Sequence, residues 1–332
     1  MSESLKQAKN HGSACAQLYI EKLIKLAQEQ KHPACIVGSI NADHVITTTA
    51  MPRPGETVLG DKLSLLAGGK SANQAACAAK LGADIAMIGA VGKDSNGLFL
   101  LDELKAAGVN IAYIETVNQP TGATVIIVDQ NGENSIVVAL GANGEVNAQL
   151  VSRHEQAFAH SAAVGLCLEA DHSAIERSKQ LAHSHGATVL FNPSPMPEKL
   201  SKALLDDVDV LIVNEHELEA FIDTPVLDKI ERNLEDVRQE LNVSGLIVTR
   251  GARGSLVADA NGVFVVEPIE VAPVDTTGCG DAFLGTLIAG RAANMSLVDS
   301  AYAATLVSAY AACGYGAQAS YGTIDEIIAF AE

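Results

Sequence analysis

The sequence of 332 residues contains 22 Lys and Arg residues against 40 Asp and Glu residues, which gives a formal net charge of −18 at pH 7. This length, with 48% hydrophobic residues, allows one large or two ordinary domains around a sizeable core. The acidity argues against a general nucleic-acid binder and against a protein held on an anionic membrane surface, since both need a basic footprint. A polyanionic substrate remains compatible with this charge, because a site can be locally positive on an acidic body.

Other features of the composition exclude further classes. The six cysteines lie far apart with no CxxC pair, which is the pattern of reduced thiols in a cytoplasmic protein. The apolar runs are too short to span a bilayer, and the first residues lack the apolar core of a signal peptide. The nine histidines form no HExxH motif, and no G-x-S-x-G elbow marks a hydrolase. We therefore predict a cytoplasmic protein with neither membrane nor nucleic acid as a partner.

Residues 1–32 differ from the rest of the chain. They contain five lysines and a set of apolar residues at helical spacing between Leu18 and Ala27, and Pro33 follows them. This pattern predicts an N-terminal helical extension that packs on the body or contacts a second subunit. Residues 33–332 are predicted to form the body, which begins with the apolar strand ACIVGSI.

Two β-branched segments interrupt the body, at about 43–68 and 119–141. Each contains a turn signal, a PG or an NG dipeptide, and both are predicted to form antiparallel strands. From Ala148 onward, apolar strands alternate with amphipathic helices, which predicts a parallel sheet covered on both faces. The two segments would then form a small lid over the carboxyl edge of this sheet, where α/β proteins bind ligands.

The motif DTTGCGDAF at 275–283 is the strongest chemical signal. Gly278 and Gly280 flank Cys279 in a turn before an apolar helix, and backbone N–H groups at a helix start can bind an anion. Asp281, in the first turn, can take the proton from a hydroxyl that attacks a phosphoryl group. The alternative is a glycine turn with Asp281 as an ordinary helix cap.

A second glycine-rich motif, AGGKSANQA at 67–75, opens another helix. Gly68 and Gly69 permit a ligand to approach the backbone closely, and Lys70 supplies a positive charge. Asn73 can hydrogen-bond a polyol. The spacing is not that of a Walker A loop, and a simple turn that opens the helix is the alternative.

Polar residues at two strand ends are candidates for sugar binding. GSINAD brings Asn41 and Asp43 to the end of the first strand, and Glu169 follows the strand AAVGLCL. Carboxylate and amide groups at such an edge suit sugar hydroxyls, because they accept or donate hydrogen bonds in pairs. The alternatives are a role in shaping the turn for Asn41 and Asp43 and a solvated loop position for Glu169.

Two further strand ends carry residues suited to a nucleotide. Asn214 and Glu217 follow VLIV, and a strand-end carboxylate can organise hydrated Mg²⁺. The stretch TRGARG follows GLIV and contains Thr249, with Gly251 and Gly254 as residues that can line a nucleotide. A helix cap and a tight hairpin turn are the respective alternatives.

Taken together and in this order, these motifs resemble the ribokinase family of ATP-dependent sugar kinases, the PfkB family. The resemblance covers about residues 34–330 and also rests on PRPGET, GAN at 141–143, NPSP and GAQ at 316–318. It implies a three-layer α/β/α sandwich with a mostly parallel central sheet and a small β-sheet lid. It further implies phosphoryl transfer from ATP to the 5-hydroxyl of D-ribose, Mg²⁺, an activating monovalent cation (usually K⁺) and a homodimer formed through the lid.

The resemblance also implies roles for individual residues. Asp281 would be the base on the sugar hydroxyl, and Gly278, Cys279 and Gly280 would form the anion hole. The implied ribose ligands are Asn41, Asp43, Gly68, Gly69, Lys70, Asn73 and Glu169. The residues implied along ATP and its Mg²⁺ are Asn214, Glu217, Thr249, Gly251, Gly254 and Gly280. The implied ligands of the monovalent cation are Asp275, Thr277, Ala311, Gly314, Gly316 and Ser320.

Three features depart from the family pattern. Ser71 stands where many members have Gly and is expected to tighten the sugar loop, CGYGAQ at 313–318 replaces a more basic stretch, and residues 1–32 have no counterpart. The nearest rival function is a kinase of the same fold that acts on a nucleoside, deoxyribose or a ketose. A catalytically silent sugar sensor is the rival from another class, and an intact Asp281 argues against it, because a sensor needs no base.

Overall fold

The computed structural model describes residues 14–29, 32–131, 133–196, 201–222 and 230–332. Within these residues the helices are α1 (Ala14–Gln28), α2 (Lys70–Lys80), α3 (Ser95–Ala106), α4 (Ala148–Arg153), α5 (His172–Ser184), α6 (Glu215–Glu219), α7 (Ile230–Glu240), α8 (Cys279–Ala292), α9 (Leu297–Ala311) and α10 (Ile324–Ala331). The strands are β1 (Ala34–Val37), β2 (Asn41–Thr48), β3 (Gly60–Gly68), β4 (Ile85–Gly92), β5 (Ile114–Val117), β6 (Gly122–Val128), β7 (Asn134–Ala139), β8 (Ala163–Cys167), β9 (Thr188–Asn192), β10 (Val210–Asn214), β11 (Gly245–Thr249), β12 (Ser255–Asp259) and β13 (Gly262–Val266).

The larger sheet joins nine strands in the order β13-β12-β11-β10-β9-β8-β1-β4-β5. The strands from β11 to β5 in this order are parallel, and β12 and β13 add an antiparallel hairpin at one edge. Side chains of β1 alternate between two apolar cores: Ile36 belongs to the core formed with α2, α8 and α9, and Val37 to the core formed with α5. The predicted α/β/α sandwich with a mostly parallel sheet is therefore confirmed.

A separate sheet of four strands, the lid, has the order β3-β2-β6-β7. The pairs β2/β3 and β6/β7 are antiparallel as predicted, but β2 and β6 are parallel, so the prediction of antiparallel strands fails for this pair. Asn41 and Gly122, the first residues of the two strands, are register partners, and both strands leave the body in the same direction. The connection through α2, β4, α3 and β5 makes this possible, since parallel pairing requires a long crossover.

Helix α1 packs on the body against α9 and α10. Leu23 and Leu26 are fully buried on its inner face. Lys22 and Lys25 each form a 2.9 Å ion pair with Asp299 in the first turn of α9. The amphipathic pattern thus produces a helix with a buried apolar face, while residues 1–13 of the predicted extension lie outside the described residues.

Two further predictions concern membranes and thiols. Within the described ranges, no helix combines the length and the apolar character that crossing a bilayer requires. Cys35, Cys77, Cys167, Cys279 and Cys313 are free thiols, and the first three are buried. The prediction of scattered reduced cysteines is therefore confirmed for the side chains that the structure describes.

Candidate active site

The candidate site lies at the carboxyl edge of the central sheet, where the lid strands begin. Asn41 follows β1, Glu169 follows β8, and Asn214 and Thr249 end the adjacent strands β10 and β11 as register partners. Asp281 approaches this edge from the first turn of α8. Because parallel strands present their carboxyl ends on the same edge, residues that are far apart in sequence gather here.

Asn41 is buried and held in place by a second asparagine. Asn143 Nδ2 donates a 2.7 Å hydrogen bond to Asn41 Oδ1, and Asn143 Oδ1 accepts a 2.9 Å bond from the Ile40 amide. Gly122 makes room for this pair, because a Cβ there would lie 2.1 Å from Asn143 Nδ2. The Asn41 amide is therefore fixed in one orientation at the root of the lid.

The carboxylate of Asp43 lies over Gly68 on the neighbouring lid strand. A Cβ at Gly68 would come within 2.0 Å of Asp43 Oδ2, so only glycine fits at this position. Burial raises the pKa of Asp43 to about 6, against a lowering effect of a hydrogen bond with Thr124. The charges of Glu169 and Asp281 raise it further. Gly68 thus accommodates an acidic side chain of the site as well as permitting close backbone approach.

Glu169 caps α2, the helix that begins within the motif AGGKSANQA. Its Oε2 accepts a 2.9 Å hydrogen bond from the Lys70 amide at the start of α2 and a short one from Ser39 Oγ. Gly69, the N-cap residue, has φ +90° and supplies no side-chain cap, so the Glu169 carboxylate takes this role. Glu169 is therefore not a solvated loop acid, since its carboxylate caps the start of α2.

Lys70 lies among the acids of the site. Burial lowers the pKa of Lys70, but the charges of Asp281 and Glu169 oppose that effect, and the net result is a raised pKa. The ammonium therefore stays charged beside two carboxylates. This is the local positive charge that an acidic protein needs for an anionic ligand.

Ser71 connects the start of α2 to the ends of β1 and β8. Its Oγ donates a 3.2 Å hydrogen bond to Val37 O at the end of β1 and lies 3.3 Å from Cys167 Sγ at the end of β8. A Cβ on Gly38 would collide with Ser71 Oγ at 2.2 Å. The side chain that departs from the family pattern is fully buried in this contact.

The carboxylate of Asp281 is buried between two amide side chains of α2. Asn73 Nδ2 donates to Asp281 Oδ2 at 2.9 Å, and Gln74 Nε2 approaches Asp281 Oδ1 at 3.3 Å. Burial raises the pKa of Asp281, although Lys70 and these two donors act in the opposite direction. A buried carboxylate with a raised pKa and fixed orientation has the properties of a general base.

The turn before α8 presents backbone rather than side chains. Gly278 is the N-cap residue in the left-handed conformation, with φ +77°, and makes no side-chain cap hydrogen bond. A Cβ on Gly280 would meet no protein atom within 4 Å, so the space above this residue is open. Burial raises the pKa of Cys279 to about 11, which keeps its thiol neutral. The start of α8 is therefore an open turn with the positive end of a helix dipole, suited to an anion.

Asn214 and Glu217 form a capping box at the start of α6. Asn214 Oδ1 accepts from the Glu217 amide, and Glu217 Oε2 accepts from the Asn214 amide, both at 2.8 Å. The structure thus bears out the helix-cap alternative for this pair. Thr249, the register partner of Asn214, donates a 3.3 Å hydrogen bond to Val213 O.

Gly251 and Gly254 have different surroundings in the turn after β11. Both have positive φ, +56° and +78°. A Cβ on Gly254 would lie 2.1 Å from Val266 O, whereas one on Gly251 would meet nothing within 4 Å. Gly254 is therefore required by the hairpin, as its alternative proposed, while Gly251 borders open space.

The residues implied for a monovalent cation come from two segments that touch. Asp275 accepts 2.9 Å hydrogen bonds from the amides of Thr277 and Gly316, and these bonds lower its pKa although burial acts to raise it. A Cβ on Gly314 would lie 2.7 Å from the Ser320 Cβ, so these two residues are also adjacent. The implied ligands thus comprise one carboxylate, backbone carbonyls and a hydroxyl, which are oxygen donors of the kind that hard cations bind.

Ala311 and Ser320, two further implied cation ligands, also form hydrogen bonds within the chain. The Ala311 carbonyl accepts from the Gly314 amide at 3.0 Å, and Ser320 Oγ donates to Ala317 O at 2.8 Å. Among the described residues, no group of three or more His, Cys, Asp or Glu side chains could hold a metal ion.

Five residues without a role in the sequence analysis contact the site: Ser39, Gln74, Asn143, Gln318 and Tyr321. Gln74, Asn143 and Gln318 stand within the motifs AGGKSANQA, GAN and GAQ, so the motifs contained the signal. Ser39 likewise stands within GSINAD, whereas Tyr321 lies outside the quoted motifs. Their roles depend on contacts with Glu169 and with the Gly278 carbonyl, which only the fold reveals.

Comparisons with known proteins show which family this chain belongs to. The model of the pfkB family of carbohydrate kinases matches residues 31–324. Ribokinase of Haemophilus influenzae is 33% identical over 90% of this chain and 97% of its own length. Deoxyribokinase of Salmonella typhi is 30% identical over 88% of this chain and 96% of its own length. The structure of Arabidopsis thaliana ribokinase complexed with ribose and ATP, at 27% identity, has a TM-score of 0.81 and covers 91% of this chain and 99% of its own.

The matched region begins just before β1 and therefore leaves α1 outside it. It includes the lid, both glycine-rich motifs, Asp281 and the segment that faces Asp275. Because the family model spans most of the chain, and a relative above 30% identity covers nearly all of it, this chain belongs to the pfkB family of carbohydrate kinases.

Proposed function

We propose that this protein transfers the γ-phosphoryl group of ATP to the 5-hydroxyl of D-ribose and releases D-ribose 5-phosphate and ADP. The observation that carries the proposal is the buried Asp281 carboxylate, oriented by Asn73 and Gln74 beside the open turn at Gly280. Relatives named ribokinase, one of them solved with ribose and ATP, support this choice of acceptor and donor.

The sugar is proposed to lie between the lid roots and α2. Its ligands would be Asn41, Asp43, Gly68, Gly69, Lys70, Asn73 and Glu169. Fixed amide and carboxylate groups suit a polyol because each sugar hydroxyl both donates and accepts. Asn143 and Ser39 support this set, the first through Asn41 and the second through Glu169.

Catalysis would consist of positioning, proton removal and charge stabilisation. Asp281 accepts the proton of the attacking hydroxyl, which is favourable because burial raises the pKa of this carboxyl. The amides of the turn Gly278–Gly280 stabilise the charge on the transferring phosphoryl oxygens, and Lys70 adds a fixed positive charge. The lid would exclude water, which otherwise competes as acceptor.

ATP would lie along the ends of β10 and β11, beside Asn214, Glu217, Thr249, Gly251, Gly254 and Gly280. Mg²⁺ would neutralise phosphate charge, held through the phosphates and organised by the free oxygen of Glu217. K⁺ would be held by Asp275, Thr277, Ala311, Gly314, Gly316 and Ser320, and would add positive charge behind the anion turn. The oxygen donor set supports the monovalent cation.

A homodimer through the lid completes the proposal. One face of the lid carries four exposed apolar residues, Leu63, Leu65, Val125 and Val137, which the strand register places on the same side. Such a patch is unusual on a monomer and is suited to burial against an identical patch. Sedimentation equilibrium tests this: the parent should be a dimer, and a variant with Val125→Glu and Val137→Glu a monomer. A monomeric parent would refute the dimer and leave the kinase proposal in place.

The acceptor is tested by ADP release with a panel of sugars and nucleosides. The panel contains D-ribose, 2-deoxyribose, fructose, adenosine and pseudouridine, each with MgATP and with or without K⁺. We expect the highest kcat/KM with D-ribose. A preference for deoxyribose, the substrate class suggested by the Salmonella relative, would overturn the acceptor but keep the chemistry. No turnover with any acceptor would favour a silent sugar sensor.

A further inference from the structure

Lys80 joins the last turn of α2 to a segment near the C-terminus. Its Nζ donates hydrogen bonds of 3.0 Å to Gln318 O and 2.7 Å to Tyr321 O. These two carbonyls lie at either end of the short 3₁₀ turn Gln318–Ser320. The ammonium is half-buried, and burial lowers the pKa of Lys80. A charged donor at the end of one helix therefore fixes both ends of a distant turn.

The segment that Lys80 holds reaches the candidate base. Gln318 Nε2 donates a 3.1 Å hydrogen bond to Asn73 Oδ1, and Asn73 Nδ2 donates the 2.9 Å bond to Asp281 Oδ2. An amide side chain whose oxygen is fixed by a donor has its NH₂ group fixed as well. The orientation of the Asp281 carboxylate therefore depends on the position of Gln318.

The same segment reaches the anion turn by a second route. Tyr321 is buried, and its OH donates a 2.9 Å hydrogen bond to the carbonyl of Gly278. That carbonyl belongs to the N-cap residue of α8 and also accepts from the Ala282 amide. Displacement of Tyr321 would therefore release the peptide at the start of the helix.

The segment also carries implied ligands of the monovalent cation. The Gly316 amide donates to Asp275 Oδ2, and Ser320 lies inside the turn between the two carbonyls bound by Lys80. Gln318 O and Tyr321 O point at the ammonium, so a cation attached to α2 already neutralises part of this carbonyl-rich region. An alkali ion bound to Gly316 and Ser320 would find a segment whose backbone is fixed in advance.

We propose that Lys80 is a positioning residue. Its ammonium group holds residues 316–321, and these residues align Asp281 and the turn at Gly278. The kinetic part of this proposal rests on the proposed function. Its action runs through Gln318 and Tyr321, because Lys80 itself contacts neither Asp281 nor Gly278 in the described residues. It follows that a residue at this position must donate at least two hydrogen bonds across this gap.

Three variants separate positioning from simple packing. Lys80→Met keeps the apolar stem and donates nothing, whereas Lys80→Arg keeps a charged group with several donors. Lys105→Met, at an exposed lysine near the end of α3, is the matched control. If Lys80→Met does not fold, Lys80→Gln, with a shorter amide donor, is measured by the same criteria.

Hydrogen exchange followed by mass spectrometry tests, independently of catalysis, whether Lys80 holds residues 316–321 in place. For Lys80→Met we expect exchange in the peptide spanning residues 312–322 to become about tenfold faster, with the rest of the chain within twofold of the parent. Lys80→Arg should stay within about twofold to threefold of the parent in every peptide. Unchanged exchange at 312–322 in Lys80→Met would overturn the proposal, and so would faster exchange spread over the whole chain.

Steady-state kinetics test whether the loss of these hydrogen bonds impairs the active site. With D-ribose and MgATP, Lys80→Met should lower kcat about tenfold and raise the K⁺ concentration for half-activation about fivefold, with the sugar KM within twofold. Lys80→Arg should restore most of kcat. An equal loss of kcat in both variants, or none in Lys80→Met, would overturn the positioning role. If the parent phosphorylates no acceptor, the kinase proposal is refuted. Hydrogen exchange then still tests whether Lys80 holds residues 316–321. If K⁺ does not activate the parent, kcat and hydrogen exchange alone test the positioning role of Lys80.

Discussion

Asn73 and Asp281 lie 208 positions apart in the sequence, and their side chains are joined by a 2.9 Å hydrogen bond from Nδ2 to Oδ2. The bond connects the first turn of α2 with the first turn of α8, two helices that pack on each other. The two glycine-rich motifs thus meet in one structure. The helix whose start is proposed to hold the sugar also orients the proposed base.

The Asn73–Asp281 bond makes a prediction for the pH dependence of turnover. The bond lowers the pKa of Asp281, while burial raises it above the ordinary value. The acid limb of kcat should therefore lie at higher pH than for an exposed aspartate. Asn73→Leu, which removes the donor, should move that limb to still higher pH.

The measurement is the pH profile of kcat at saturating sugar and ATP for the parent and for Asn73→Leu. Exposed Lys105→Met serves as the control and should give the parent profile. A limb that stays in place in Asn73→Leu would show that Asp281 is not the titrating group, whatever the loss in overall rate.

Asp43 makes a prediction for stability. Burial raises its pKa to about 6 in the folded protein from 3.8, so the folded state binds more protons than the unfolded state between these values. The free energy of unfolding contributed by this group is thus greatest below pH 4 and falls as the pH rises to about 6. Asp43→Asn removes this penalty and should stabilise the protein at pH 8 by about 1–3 kcal/mol.

Urea denaturation of the parent and Asp43→Asn at pH 8 and near pH 4 checks this sign. The variant should be more stable than the parent at pH 8, and the difference should shrink at low pH. The sugar KM of the variant should rise at pH 8, because the amide has one neutral acceptor oxygen where the carboxylate has two charged ones. An equal stability difference at both pH values would contradict a raised pKa.

Gly280 tests whether the open turn binds the phosphoryl group. A methyl group here meets no protein atom within 4 Å, and alanine is the better helix former, so Gly280→Ala should leave thermal stability unchanged or raise it. The methyl would occupy the space proposed for phosphate oxygens. Turnover should therefore fall at least tenfold, on the order of the loss of one oxyanion contact.

The control for Gly280→Ala is Gly144→Ala, an exposed glycine where a methyl also meets nothing within 4 Å. Calorimetry and ADP release are measured for both variants. Full activity of Gly280→Ala would remove the anion turn from the mechanism.

Helix α1 is predicted to stabilise the body. Leu23 is fully buried, and Leu23→Ala should lower the free energy of unfolding by about 2–5 kcal/mol. Exposed Gln17→Ala is the control and should change it by about 0.5 kcal/mol or less. Denaturation in urea gives both values. A loss below about 1 kcal/mol for Leu23→Ala would mean that α1 contributes little to the stability of the body.

Local chemistry made part of the site predictable from sequence. The helix start at Gly278 is predictable because glycines before an apolar run indicate a turn that exposes backbone amides, and α8 begins there. The central sheet followed in the same way from apolar strands that alternate with helices. Both predictions depend on neighbours in the chain.

Long-range contacts were not predictable. The parallel pairing of β2 with β6 depends on a crossover of many residues, and the bond between Tyr321 and Gly278 depends on where the chain returns. Asn214 and Glu217 show a different problem, since their capping box and a role beside a nucleotide leave the same sequence pattern. The net charge of −18 likewise does not predict that Lys70 lies beside Asp281 and Glu169 or that Lys80 binds two backbone carbonyls.

Asp281 is proposed to be the base of a ribose kinase. The most direct test incubates D-ribose and MgATP with the parent or with Asp281→Asn and follows the product by phosphorus NMR, with the melting temperature as a control for folding. We expect D-ribose 5-phosphate from the parent and a rate at least about 100-fold lower for Asp281→Asn, at a melting temperature no lower than that of the parent. Absence of a sugar phosphate from the parent, or equal rates for the two proteins, would contradict the account.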